Sequence, residues 1–206
     1  MTELVSLAIP AVKKLQPKRF GDDRGWFSET FRSNWFASLG LDFIQENHSL
    51  SVQKGTLRGL HFQTGPSTQT KLVRCVAGKL LDVVVDIRHG SPTFGHYIAE
   101  ELSAENGLQL LVPHGFAHGF LSLTDDCEIL YKVDRHYDRQ RDKGMAYNDP
   151  DIAIQWPDNI WPDDGPILSD KDKSTPHLCD LPKYFSYDPN NPDGAICHDL
   201  NVGVSS

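Results

Sequence analysis

Five side chains in patterned runs of this sequence are of the types that transfer protons or stabilise a developing negative charge. His61 stands in the run RGLHFQ, and His114 and His118 stand in PHGFAHGF. Tyr131 stands in EILYKV, and Lys71 opens a further apolar run. Histidine, tyrosine and lysine are common general acids and bases, and a lysine also stabilises an anion. Brought together in one pocket, they predict proton-transfer chemistry.

The segments that carry these residues alternate with a period of two. In the clearest example, residues 79–88, one face holds Leu81, Val83, Val85 and Ile87, and the other holds Asp82, Asp86 and Arg88. A period of two is the signature of a β-strand and not of a helix. Further strands are predicted at 57–63, 71–77, 97–102, 108–112, 117–123 and 127–133. Many short strands divided by Gly, Pro, Asn and Asp predict a mainly β fold, a double-sheet jelly roll with short peripheral helices.

Two elements are predicted nearer the N-terminus. Residues 26–32 alternate well enough for a strand, with Phe27, Glu29 and Phe31 on one face. Residues 34–40 are predicted to form one or two helical turns, with Asn34 as the N-cap and Gly40 as the end.

Alternation also indicates which functional side chains share a face. Tyr131 shares a face with Ile129 and Val133, where a hydroxyl is costly to bury unless it has a partner. His118 shares a face with Phe120 and Ser122, and His61 with Gln63. Strict alternation places Arg58 opposite His61, unless Gly59 hosts a β-bulge that turns one of them.

Length and composition predict one domain over residues 1–180 and a C-terminal extension over 181–206, of which the last twenty or so residues, 186–206, are expected to be loosely attached. The chain has 206 residues, with 39% hydrophobic and 23% charged residues. No apolar stretch approaches the roughly 20 residues of a membrane span, and the N-terminus lacks a secretory pattern. The four cysteines form no CxxC pair and are expected to be free thiols, which predicts a cytoplasmic protein.

Several function classes are disfavoured. A net charge of −8 argues against a nucleic-acid partner. The chain has no GxSxG, GxGxxG or GxxxxGK[ST] run, so no nucleophile elbow, dinucleotide fold or P-loop is indicated. The run PHGFAH is spaced like the second motif of metal-binding cupins, but the earlier HFQ offers one histidine and no suitably spaced Glu. Three protein ligands are expected at a catalytic metal site, so no metal is predicted.

An ordered set of motifs resembles the dTDP-4-dehydrorhamnose 3,5-epimerases. The resemblance runs from about Pro10 to Asp172, through FGDDRGWFSETF, QENHSLS, LRGLHFQ, QTKLVR, DVVVDIRHGSPTFG, LLVPHGFAHGF, YKVDRHYD, NDPDIAIQWP and LSDKD. It implies a cupin-type jelly roll that needs no cofactor, and a homodimer that exchanges N-terminal strands. Its substrate would be a nucleotide-linked 4-keto sugar, whose ketone acidifies the C–H bonds at carbons 3 and 5.

The resemblance also implies roles for individual residues. His61 would be the base, Tyr131 the acid, Asp172 the carboxylate that orients the base, and Lys71 the cation near the enolate oxygen. The implied substrate-binding residues are Phe20, Arg24, Glu29, Gln45, Asn47, Arg58, His118, Tyr137, Asp142 and Lys171. Among these, Phe20, Arg24 and Glu29 would reach across the dimer interface.

The sequence departs from the family pattern at a few positions. Asp142 stands where Glu is usual, Tyr147 where Trp is usual, and the run GPSTQ replaces PPxAQ. Three alternatives stay open: an epimerase acting at one carbon only, a metal-dependent cupin enzyme, and a non-catalytic sugar-nucleotide binding protein.

Overall fold

Two antiparallel sheets face each other and enclose the centre of the molecule. The computed structural model describes residues 3–200. The strands in this part are β1 Leu4–Ser6, β2 Lys13–Leu15, β3 Arg19–Asp22, β4 Gly25–Ser28, β5 Gln45–Ser51, β6 Leu57–Gln63, β7 Lys71–Ala77, β8 Lys79–Asp86, β9 Tyr97–Ser103, β10 Gln109–Val112, β11 Phe116–Ser122, β12 Cys127–Val133, β13 Asp142–Gly144, β14 Phe185–Ser186 and β15 Ile196–Cys197. A short helix, α1, spans Asp170–Lys173, and 3₁₀ turns span Ser33–Leu39, Gly65–Ser67, Asp158–Ile160 and Leu178–Asp180.

The strand order is that of a jelly roll. One sheet has six strands in the order β1-β2-β10-β7-β12-β5, and the other has five in the order β13-β6-β11-β8-β9. Two small hairpins, β3–β4 and β14–β15, lie outside these sheets. The predicted fold is therefore confirmed, and each strand predicted from Leu57 onward lies within one or two residues of its predicted bounds.

Apolar side chains form a core on each side of the five-stranded sheet. Leu80 and Val84 of β8 face the six-stranded sheet and pack in the core between the sheets. Val83 and Val85 face the other way, into a second core beneath the C-terminal segments. Because both faces of β8 are covered, its alternating charged residues are buried as well: Asp82 and Asp86 are each 0% exposed.

The N-terminal predictions are partly wrong. The strand predicted over 26–32 ends at Ser28, so Phe27, Glu29 and Phe31 do not share a strand face. Instead Phe27 is 70% exposed. The predicted helical turn forms as a 3₁₀ turn, but its N-cap is Arg32 and not Asn34. Gly40 ends the turn as predicted, in the left-handed conformation that glycine adopts without strain (φ 65°).

The prediction of a loosely attached tail over 186–206 is wrong for residues 186–200, and residues 201–206 lie outside the described part of the chain. Phe185 is 1% exposed and packs with Phe62 of β6. The guanidinium of Arg88 forms an ion pair with Asp86 and donates hydrogen bonds to the backbone carbonyls of Pro192 and Gly194. The segment is thus fixed against the outer face of the five-stranded sheet by apolar burial and by a buried cation.

Within residues 3–200 no helix has the length and apolar character needed to cross a membrane.

Candidate active site

A cavity of about 420 Å³ opens between the two sheets. Its walls are Arg58, His61, His118 and Phe120 from the five-stranded sheet, Ser49, Lys71, Ile129 and Tyr131 from the six-stranded sheet, and Thr56, Leu57, Ile167, Leu168, Ser169 and Asp172 from their strand ends and the segment at α1. The size is that of a small-molecule site. All four predicted catalytic residues line this one cavity.

A β-bulge in β6 lets Arg58 and His61 both line the cavity. His61 lies opposite His118 and Arg58 opposite Phe120, so two residues of β6 oppose Gly119 alone. Gly59 has φ +123°, and a Cβ there would lie 2.6 Å from the Cα of Gly119. Only glycine fits such a contact between two backbones. The bulge hypothesis is confirmed.

His61 is paired with Asp172, as the resemblance implies. Its Nε2 lies 2.5 Å from Oδ1 of Asp172, which is carried by α1. The side chain of His61 is 30% exposed and that of Asp172 is 3% exposed. Burial disfavours the charge on Asp172, but hydrogen bonds from His61 and Ser169 outweigh it and hold the pKa of Asp172 below its usual value. The ionised Asp172 therefore holds Nε2–H of His61 and leaves Nδ1 free to accept a proton.

Tyr131 keeps its phenolic proton. Burial raises its pKa above the ordinary value, and the charge of Asp142 adds to this effect while Arg58 opposes it. Tyr131 lies on β12 of the six-stranded sheet, whereas His61 lies on β6 of the five-stranded sheet. A proton donor and a proton acceptor thus project into the cavity from opposite walls.

Lys71 is a half-buried cation beside the base. Its Nζ donates a hydrogen bond to the backbone carbonyl of His61 at 3.3 Å. Burial lowers the pKa of Lys71 from 10.5 to about 8, while Asp142 and Asp82 act in the opposite direction. Lys71 forms no ion pair within residues 3–200. Its ammonium group is therefore available to stabilise an oxyanion.

His118 forms a second His–Asp pair deeper in the wall. Its Nε2 lies 3.0 Å from each carboxylate oxygen of Asp82. Burial lowers the pKa of His118, and Asp82 opposes this by favouring the charged ring. Sequence reasoning noted the charged face of β8 but did not identify Asp82 as a site residue. The sequence feature that could have identified Asp82 is a carboxylate at an inward position of a strand that is apolar on its other face.

Arg58 and His118 line the cavity, and the other predicted substrate-binding residues from Gln45 onward form two groups outside its lining: Gln45 with Asn47, and Tyr137 with Asp142 and Lys171. Arg58 donates hydrogen bonds to the hydroxyl of Ser51 and the carbonyl of Leu50, which fix its guanidinium. On the inward face of β5, the Gln45 amide donates to Asn47 at 2.9 Å.

The second group centres on one carboxylate. Oδ2 of Asp142 lies 2.5 Å from Nζ of Lys171 and accepts a hydrogen bond from the hydroxyl of Tyr137 at 3.1 Å. Gln45 joins the two groups, since its side-chain oxygen accepts from the backbone amide of Tyr137.

The three predicted N-terminal binding residues do not reach the cavity of their own chain. Phe20 and Glu29 line a separate cavity with Arg32 and Trp35. Arg24, at the tip of the β3–β4 hairpin, pairs with Asp22.

His114 also lies outside the active-site cavity. It pairs with Asp134 at 3.1 Å and borders another cavity between the N-terminal and C-terminal segments. In residues 3–200, no three His, Cys, Asp or Glu side chains are grouped so that they could hold a metal ion.

Comparison with known proteins agrees with the geometry. A family model described as dTDP-4-dehydrorhamnose 3,5-epimerase matches residues 6–180. The dTDP-4-dehydrorhamnose 3,5-epimerase of Sinorhizobium fredii (strain NBRC 101917 / NGR234) is 52% identical over 186 residues, which cover 88% of this chain and 92% of that protein.

Solved structures show the same fold. The dTDP-6-deoxy-D-glucose-3,5-epimerase of Legionella pneumophila Philadelphia 1, in complex with dTDP-4-keto-L-rhamnose, is 39% identical with a TM-score of 0.82, and the match covers 88% of this chain and 95% of that one. A 3'-monoepimerase from Streptomyces bikiniensis, in complex with dTDP-quinovose, is 37% identical with a TM-score of 0.78, covering 84% of this chain and 87% of that one.

Proposed function

This chain belongs to the dTDP-4-dehydrorhamnose 3,5-epimerase family, and we propose that His61 is its base and Tyr131 its acid. It is an isomerase, and its reaction converts dTDP-4-dehydro-6-deoxy-D-glucose to dTDP-4-dehydro-L-rhamnose, a step that supplies L-rhamnose. The observation that carries the assignment of roles is that His61 and Tyr131 enter one cavity from opposite sheets.

Inversion at carbon needs that arrangement. Nδ1 of His61 takes the proton from the carbon next to the ketone, and the electron pair of the C–H bond moves into an enolate with its charge on the 4-oxygen. The ammonium of Lys71 stabilises that oxyanion. The Tyr131 hydroxyl then donates its proton to the other face of the carbon, and the ketone reforms. His61 leaves this half-reaction protonated and Tyr131 as a phenolate, so solvent must restore both.

The arrangement of charges supports these roles. Asp172 stabilises the imidazolium that forms on His61, by the logic of a His–Asp dyad. The raised pKa of Tyr131 keeps it in the form that can donate. Arg58 at the mouth suits a diphosphate, because a guanidinium binds phosphate oxygens through two parallel hydrogen bonds.

The decisive experiment is NMR of the enzyme with dTDP-4-dehydro-6-deoxy-D-glucose in deuterated water. We expect deuterium at carbons 3 and 5, and an L-configured product that a downstream reductase can trap. Deuterium at one carbon would identify a single-carbon epimerase instead, an outcome that the similarity to the Streptomyces bikiniensis 3'-monoepimerase makes worth testing. Absence of exchange would indicate another sugar nucleotide or a binding protein.

The Tyr131→Phe variant tests the acid in the same experiment. We expect net inversion to fall by about 10²-fold, while proton removal by His61 and its exchange with solvent continue. If exchange and inversion fall equally, Tyr131 has only a packing role.

We further propose a homodimer in which the N-terminal hairpin of one chain completes the active site of the other. Three observations support it. The β3–β4 hairpin forms a two-stranded sheet of its own, apart from the two main sheets. Phe20, Trp26 and Phe27 are 56%, 58% and 70% exposed, a large apolar surface for a monomer. Arg24 and Glu29 do not reach the cavity of their own chain.

Co-expression of two inactive variants tests this arrangement. In a mixed dimer of Arg24→Ala and His61→Ala chains, one active site has its own His61 and receives an intact Arg24 from the partner. Random pairing therefore restores about a quarter of the wild-type activity. If Arg24 acts within its own chain, no mixture regains activity.

The cytoplasm is the proposed compartment. All four cysteines are unpaired in the structure, which is the expected state in a reducing environment.

A further inference from the structure

The helix α1, which carries Asp172, is too short to be stable by itself. It has four residues, Asp170–Lys173, and isolated helices below roughly 12 residues are marginal in water. Asp172 is nevertheless buried and lies 2.5 Å from His61, a residue 111 positions earlier in the chain. Contacts from outside the helix must therefore set the distance between the two members of this pair.

The C-terminal end of α1 is held by Thr175. The hydroxyl of Thr175 donates a hydrogen bond to the backbone carbonyl of Asp172 at 3.1 Å. This carbonyl is one of those that a helix end leaves without a partner inside the helix. The next residue, Pro176, accepts a backbone hydrogen bond from Ala146 at 2.8 Å. Thr175 is therefore fixed between the helix and the segment that continues β13.

The methyl group of Thr175 occupies the space beside Gly144 of β13. A Cβ on Gly144 would overlap Cγ2 of Thr175, so the methyl group fits only because this residue is glycine. Gly144 is paired with His61 in the ladder between β13 and β6. Directly opposite residues of antiparallel strands have their side chains on the same face of the sheet. The methyl group therefore packs on the face from which the ring of His61 projects.

We propose that Thr175 is a positioning residue of the reaction: through its contacts with β13 and with α1 it sets the distance between His61 and Asp172. The inference rests on the proposed function in one respect, that His61 is the base. Thr175 is not part of the cavity wall, so it acts on the substrate only through the pair. Its hydroxyl ties the helix to the sheet, and its methyl group limits how closely the two approach.

The Thr175→Val variant removes the hydroxyl and keeps the methyl group and the volume of the side chain. We expect kcat to fall by about 10-fold to 10²-fold, because a small misplacement of a catalytic group has an effect of that size. KM should change little, since Arg58 and the rest of the cavity wall are untouched.

Gly144→Ala tests the second contact. The added methyl group should push Thr175 away from β13 and lower kcat as well. Adding Thr175→Ser to this variant removes the clashing Cγ2 and keeps the hydroxyl. In the double variant kcat should therefore recover to the level of Thr175→Ser alone.

Ser174→Ala is the matched control. The hydroxyl of Ser174 donates to the carbonyls of Asp170 and Lys171. The control therefore loses a hydroxyl at the same end of the same helix, but not one that is bonded to Asp172. It should leave kcat unchanged.

The measurement that separates positioning from a general structural effect is NMR of the free full-length protein labelled with ¹⁵N-histidine. The Nε2–H proton of His61, which is bonded to Asp172, should give a downfield signal that the His61→Ala variant identifies. In Thr175→Val and Gly144→Ala we expect this signal to move upfield or to be lost by faster exchange with water, because the hydrogen bond lengthens. The Nε2–H signal of His118 is the internal control and should not move.

An unchanged His61 signal or an unchanged kcat in Thr175→Val overturns the proposal, because the effect must pass through the pair. If that variant does not fold, Gly144→Ala decides, and a kcat that Thr175→Ser does not restore overturns it. Failure of the proposed function is a separate result. Wild-type protein that exchanges no substrate protons refutes the reaction, but the NMR comparison still shows whether Thr175 positions the pair.

Discussion

Two His–Asp pairs stand in the wall of one cavity, and their settings differ. His61 touches one oxygen of Asp172 at 2.5 Å and is 30% exposed toward the cavity. His118 lies 3.0 Å from both oxygens of Asp82, and the two side chains are 7% and 0% exposed. The residue types are the same in both pairs. The pairs must therefore differ in role because of their solvent exposure and because their carboxylates lie on different elements of the fold.

The attachment of the carboxylate differs most. Asp82 and His118 lie on adjacent strands of one sheet, so the backbone ladder fixes their distance. Asp172 lies on the short helix α1, 111 residues after His61, and its ionised form is also favoured by Ser169 and the Gly59 amide. One pair is therefore a rigid part of the barrel, and the other is assembled at its mouth where a substrate can reach the ring.

The largest expected effect is that of His61→Ala on turnover. Loss of the base should reduce kcat by about 10²–10⁴-fold with little change in stability, because Asp172 keeps its other hydrogen-bond donors. The measurement is deuterium exchange into the substrate together with thermal unfolding. Turnover near the wild-type rate would show that another group removes the proton.

A larger loss of stability than in His61→Ala is expected for His118→Ala. Removing this ring leaves the carboxylate of Asp82 buried without its hydrogen-bonding side chain, which should lower the free energy of unfolding by about 3 kcal/mol. Urea unfolding of the His118→Ala and His61→Ala variants side by side measures the difference. Equal stability of the two variants would remove the distinction between a structural and a catalytic pair.

The pairs also show what the sequence could and could not predict. Inward positions of His61, His118 and Tyr131 followed from strand alternation, because the period of two fixes which residues share a face. Alternation also required a bulge at Gly59 for Arg58 to join His61, and the structure has it. Strands rich in Val, Ile and Leu were predicted to within one or two residues for the same reason.

Which strands become neighbours could not be read from the pattern. Asp82 meets His118 because β8 pairs with β11, although β9 and β10 lie between them in the chain. The partner of His61 was known only through the family resemblance. Long-range pairing depends on the whole sheet, so a local period carries no information about it.

The prediction of a loosely attached C-terminal tail was wrong for a different reason. Its many Pro, Asn and Asp residues indicate turns, and turn formers are equally frequent in loose tails and in segments that pack irregularly. What fixes the segment is the fully buried Arg88 and Phe185, whose partners are backbone carbonyls and apolar groups that no sequence motif marks.

A smaller effect, on pH dependence, tests the cation that lies beside His61. Lys71 has a pKa of about 8 and is needed in the protonated form. Since the charged form prevails below that pH, kcat/KM should fall about tenfold per pH unit above it. In Lys71→Arg the charge persists at every working pH, so this decline should disappear even if the absolute rate is lower. A decline that persists in the arginine variant must come from another group.

The smallest effect is expected at a third pair, His114 with Asp134, which lies outside the cavity. The PHGFAHGF segment places His114 and His118 four residues apart, but only His118 lines the site. In His114→Ala, Asp134 still accepts a hydrogen bond from the backbone amide of Thr70. We therefore expect a loss of about 1 kcal/mol in the free energy of unfolding, the usual contribution of one hydrogen bond, and wild-type kcat and KM in steady-state assays. A large fall in kcat would mean that a His–Asp pair can affect catalysis without access to the cavity, and exposure would no longer explain why His61 and His118 differ.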